Sequence, residues 1–348
     1  MNTTSRQLFK DTLDAEPTRR PPCWVMRQAG RFLPEYRALK QKYTFTEIVK
    51  NPELATEATL QPIRRFGFDC AIVFSDILVV SEALGFPYHF KDAGGIRLEK
   101  TVETEADIAE IEGLADTCAE RLSYVAQALK NLRRELPDKA LLGFCAAPWT
   151  LACYMVQGES AEGFPKLFAL KNSRADLFER LMNALAAASK SYIELQTREG
   201  IDGFQIFDSH AGLIAEGEYF RTSGKYNAEL AARARRGNAA AILFANSMSR
   251  RFAEVAQADA DFYSLDRAVK LSQIQNAYNV GVQGNLPPET LTFATPDETA
   301  RQTREILQDA APLRRHIFNL AHGIRPDAKL ENVEAMCKTV FEFDYEKL

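Results

Sequence analysis

Short apolar runs alternate with long amphipathic stretches along this chain. The runs fall at residues 23–26, 70–74, 140–145, 203–207, 240–245, 261–265, 280–283 and 317–320, bounded by Gly, Pro, Asp or Asn. Continuous apolar runs of this length suit strands buried on both faces. Between them, residues 52–66 place Leu54, Ala58, Pro62 and Phe66 on one helical face. Residues 114–136, 176–198, 247–257, 267–278, 295–307 and 330–340 read similarly as helices. Strand–helix alternation implies a parallel α/β sheet. Eight such units predict a closed (β/α)8 TIM barrel spanning residues 1–348 as a single domain, with a polar segment at 1–20. An open doubly wound sheet is the competing arrangement. Residues 88–112 and 156–172 read as longer excursions between units.

The 348 residues are 46% hydrophobic and 26% charged, with a net charge of −4. That is enough apolar material for a large core. It argues against a general nucleic-acid binder, which needs a basic face to displace counterions. No stretch approaches the ~20 apolar residues of a membrane span, and residues 1–20 lack the apolar core of a secretory signal. A cytoplasmic location is expected. None of the six cysteines forms a C-x-x-C pair, so buried free thiols are expected rather than a metal or redox site.

A barrel predicts chemistry just after each strand, on the C-terminal rim. Arg27 and Arg31 follow the first run, with small Ala29 and Gly30 between them. Two forked, permanent cations four residues apart can hold carboxylates, and on a plain surface they would be a solvated pair. Ser75 and Asp76 follow the second run among apolar neighbours. A carboxylate there is either a costly functional group or a helix N-cap. Trp149 and Tyr154 follow the third, as pocket wall or as core aromatics. Asp208, Ser209 and His210 follow the fourth. Ser209 reads as a polar contact and its two neighbours as structural, since adjacent Ser and His do not make a hydrolase triad. Asn246, Asp266 and Asn285 follow the next three runs, and His322 the last. His322 is either a donor to a carboxylate or a satisfied structural histidine. There is no G-x-G-x-x-G, Walker loop or H-E-x-x-H.

Five segments in order, PPCWVMRQAGRFLPEYR, FDCAIVFSDILVVSEALGF, APWTLACYMVQG, IFDSHAG and FNLAHGIRPD, resemble the uroporphyrinogen decarboxylase family. The resemblance implies a barrel that works as a homodimer with no cofactor and no metal. It implies loss of carbon dioxide from the four acetates of uroporphyrinogen III, giving coproporphyrinogen III. It marks Arg27, Gln28, Ala29, Gly30, Arg31, Asp76, Tyr154, Ser209 and His322 as substrate-binding, and Asp76, Arg27 and Tyr154 as catalytic. Ala321, Arg267 and Pro287 depart from the family wording and touch the late strands.

Decarboxylation leaves an electron pair that some sink must accept. A pyrrole protonated on carbon is such a sink, so the substrate can supply it without pyridoxal or thiamin. An ionised Asp76 would steady that cation. Two rivals share the barrel. A zinc- and corrinoid-dependent methyltransferase needs a His-x-Cys ligand pair, whereas Gly323 and Ile324 follow His322 here. A non-catalytic tetrapyrrole carrier would keep the arginines and have no need of Asp76.

Overall fold

The computed structural model describes residues 3–91 and 94–348. Its main sheet has seven parallel strands in chain order: β1 (Cys70–Ile72), β4 (Ala140–Ala146), β5 (Gly203–Asp208), β6 (Ala240–Ala245), β7 (Phe262–Ser264), β8 (Gly281–Leu286) and β9 (His316–Leu320). A separate antiparallel hairpin, β2 (Tyr88–Phe90) and β3 (Ile96–Leu98), leaves the barrel after β1.

The first apolar run fills the eighth position without becoming a strand. It makes one parallel bridge, Cys23 to Phe318. Pro21 and Pro22 have no N–H to extend a ladder, and Arg27 turns the chain with φ +66°. Side chains replace the missing rungs. Asn319 Oδ1 accepts from Met26 N at 2.9 Å, and Asp69 accepts from Cys23 N at 2.9 Å. Gln28 donates to the Cys70 carbonyl at 3.2 Å and accepts from Val25 N. The sheet therefore closes as a TIM-barrel-like fold, with its core on both sides of the strands.

The expected helix at 52–66 appears as Pro52–Phe66, begun by an Asn51 cap and ended by Gly67 in the left-handed region. Residues 176–198 lie within the helix Ala175–Arg198, whose Leu181, Leu185, Tyr192 and Ile193 are buried against the barrel. Two expected helices differ. Residues 247–257 break into a 3-10 turn at Ser249–Arg251, a short helix Phe252–Val255 and a second 3-10 turn. Residues 115–122 are 3-10 helix before the α-helix Ser123–Glu135 begins.

The polar segment 1–20 also contains a helix, Ser5–Leu13, capped by Thr4. It crosses the N-terminal ends of the strands. Phe9 packs so close to Gly203 that a Cβ there would lie 2.9 Å from its ring. Ser5 bonds Asp69 at 2.7 Å and Arg6 bonds Asp202 at 2.8 Å, the residues just before β1 and β5.

Candidate active site

Arg27 holds a left-handed backbone, which costs a non-glycine residue ~1 kcal/mol or more and is typical of functional sites. Two glycines make that conformation usable. A Cβ on Gly30 would meet the Arg27 carbonyl at 2.8 Å, and one on Gly323 would meet Arg27 Cδ at 2.5 Å. The Arg27 side chain thus lies across the backbone that follows β9, beside His322. Arg27 and Arg31 are both exposed at the mouth. Arg37 donates to the carbonyls of Arg31 and Phe32 at 2.9 Å and so fixes that turn. The surrounding protein lowers the Arg27 pKa, and the Arg31 charge lowers it further against the pull of Tyr154 and Asp76.

Asp76 does not cap a helix. Its Oδ1 accepts from Leu78 N at 2.8 Å, closing a local turn, and the short helix Val79–Ala83 begins with no side-chain cap. Burial pushes the carboxyl up to about 6, while the Leu78 N–H, the Tyr88 hydroxyl and the Arg27 charge favour its ionised form. Burial outweighs the guanidinium, yet at neutral pH the group is still mostly ionised.

Tyr154 sits one turn from the end of the helix Pro148–Gln157. Its ring meets Phe164 at 5.5 Å and His210 at 5.2 Å, both edge-on. Burial raises the phenol pKa, so it keeps its proton. His322 lies edge-on to Phe244 at 5.6 Å. Burial and then the Arg27 charge lower its pKa, which keeps the imidazole neutral at pH 7. From Phe244 the aromatic contacts continue to Phe207 at 6.1 Å and Phe144 at 5.6 Å, along the ends of β6, β5 and β4. This gives the mouth an apolar floor beneath a rim bearing Arg27, Asp76, Tyr154 and His322.

Ser209 directly follows β5. Its N–H donates to Thr150 Oγ1 at 2.9 Å, and its carbonyl accepts from Asn246 Nδ2 at 3.1 Å. Gln28 is different. Its side chain is buried and used on both ends in closing the barrel, so it does not face the mouth as expected. Ala29 and Gly30 are half-buried in the turn between the arginines. Asn285, also expected on the rim, donates to the carbonyls of Asp266 and Val269 and ties two loops together.

The sequence reading missed Tyr88, Thr150 and the Phe207–Phe244 floor. The alternation of Tyr88 with Phe90 and of Ile96 with Leu98, around a Gly-Gly turn, is a hairpin signal that would have brought Tyr88 into view. Phenylalanines at the ends of β5 and β6 carry no comparable signal.

A cation on a left-handed turn and a half-buried carboxylate, above an aromatic floor at the C-terminal rim, are the groups of a barrel enzyme acting on an anionic substrate. Residues 4–343 match the family described as Uroporphyrinogen decarboxylase (URO-D). The uroporphyrinogen decarboxylase of Magnetococcus marinus is 37% identical, covering 97% of each chain. That of Roseiflexus sp. is 38% identical, covering 95% of this chain and 97% of its own. The chain belongs to the uroporphyrinogen decarboxylase family. Among solved structures, a methyltransferase from Methanosarcina mazei superposes with a TM-score of 0.80 at 20% identity, covering 98% and 99% of the two chains. At that identity the likeness shows the fold.

Proposed function

We propose that this protein removes the four acetate carboxylates of uroporphyrinogen III to give coproporphyrinogen III. Support comes from full-length relatives bearing that name. The observation that carries the reading is the half-buried Asp76, held by the Leu78 N–H and near enough to Arg27 for that charge to favour its ionised form. Asp76 accepts pyrrole N–H bonds at the centre of the macrocycle. Arg27 and Arg31 neutralise carboxylates around it, while Ser209 and His322 supply hydrogen bonds.

The reaction balances with no electron acceptor outside the substrate. A proton adds to a pyrrole carbon and makes the ring cationic. The electron pair of the breaking carbon–carboxylate bond flows into the ring as carbon dioxide leaves. The side-chain carbon then takes a proton, the ring carbon returns one, and a methyl group remains. Asp76 stabilises the transient cation, Arg27 holds the reacting carboxylate, and the protonated Tyr154 phenol orients it. In this reading the enzyme acts as a homodimer in the cytoplasm. No helix among the described residues is long and apolar enough to cross a membrane.

The test is anaerobic incubation with uroporphyrinogen III, oxidation of the product and a count of its carboxyls. A tetracarboxylic product is expected. An unchanged octacarboxylic porphyrin would overturn the proposal.

A further inference from the structure

We infer that Thr150, backed by Asp208, is a positioning pair that holds Ser209 and Tyr154 in fixed register side by side at the rim. The inference rests on the reading above, in which both residues contact substrate.

Asp208 ends β5 with its side chain fully buried. Four neutral donors surround it. Ser223 Oγ donates at 2.7 Å, the Tyr219 hydroxyl at 3.1 Å, Asn227 Nδ2 at 3.1 Å and Thr150 Oγ1 at 3.3 Å. Three come from positions 219, 223 and 227, four residues apart on one helical face that passes through the π-helical turn Phe220–Gly224. Such turns are rare and recur at functional sites.

A strand end needs no carboxylate for stability, since apolar packing serves as well or better. What the carboxylate adds is direction. Burial raises the Asp208 pKa while the four donors favour its ionised form; the carboxylate accepts from all four, so the Thr150 hydroxyl donates to it and turns a lone pair toward the Ser209 N–H, 2.9 Å away. The chain of donors runs one way, from Ser209 through Thr150 to Asp208, and each bond polarises the next. Thr150 lies on the helix Pro148–Gln157, one turn before Tyr154 on the same face. One oxygen atom therefore couples the backbone of Ser209 to the helix that carries the phenol.

Thr150→Val keeps the shape and removes that oxygen, and Thr150→Ser restores it. With uroporphyrinogen III as substrate, Thr150→Val is expected to lower kcat per folded enzyme by about tenfold or more, as small misplacements do, with KM changed less than about twofold. Thr150→Ser is expected to recover most of the rate. Parental kcat in folded Thr150→Val would overturn the inference, as would a Thr150→Ser variant as slow as the valine one. An inactive parent enzyme would instead sink the functional reading.

Discussion

Replacing Asp76 with Asn should make the protein slower and more stable at once. The carboxyl moves from 3.8 to about 6 on folding, with burial as the leading cause. The folded state therefore holds its proton more tightly than the unfolded state does. At ~1.4 kcal/mol for each tenfold change in proton affinity, ionised Asp76 costs the fold about 3 kcal/mol before screening. The side chain is only half-buried, so solvent screening brings this to about 1–2 kcal/mol. The penalty is complete above about pH 6, shrinks as the pH falls through that value, and disappears below the ordinary 3.8. Asn carries no charge to bury and can still accept from Leu78 N. Melting followed by circular dichroism should show Asp76→Asn about 2–4 °C above the parent at pH 7.5, with the gap closing toward pH 4. In the anaerobic assay its kcat should fall by about a hundredfold or more. A variant that melts lower at pH 7.5, or a gap independent of pH, would show that burial does not set this group's proton affinity. Near-parental kcat would remove Asp76 from the mechanism.

Tyr154→Phe should lower kcat by about tenfold and leave the acid limb of the pH–rate profile in place, because the phenol stays protonated across it; a displaced limb would contradict this. Gly323→Ala should raise KM several-fold, since the new Cβ would meet Arg27 Cδ at 2.5 Å; unchanged steady-state kinetics would mean that Arg27 need not lie there. Gln28→Leu should cost about 2–4 kcal/mol in urea unfolding, because Val25 N and the Cys70 carbonyl both lose a buried partner; a loss below ~1 kcal/mol would show that the barrel closes without it.

The strands were legible where their sequence is purely apolar. Residues 240–245 form β6 as expected, and 140–145 need one residue more. β8 runs on past the expected 280–283 to Leu286; Asn285 donates to the carbonyls of Asp266 and Val269, and a polar residue satisfied only by distant loops hid the end of the strand. The run at 23–26 looked like a strand by composition, but prolines before it and the turn at Arg27 after it left only one bridge. Within the site, position after an apolar run put Arg27, Asp76, Tyr154 and His322 among the candidates, since rim position is a property of chain order, and the family resemblance then singled them out. Gln28 shared that position, yet its side chain turned inward to repair the closure. Thr150 and Asp208 act through contacts between distant segments, which periodicity along one chain does not encode.

The helix Ser5–Leu13 stoppers the far end of the barrel with Phe9. A macrocycle with four acetates then has a single doorway for both entry and exit. After each loss of carbon dioxide the ring must either pivot inside that doorway or back out and return in a new orientation. Penta-, hexa- and heptacarboxylic species should therefore be visible in solution during turnover, in proportions set by how often the ring leaves before it pivots.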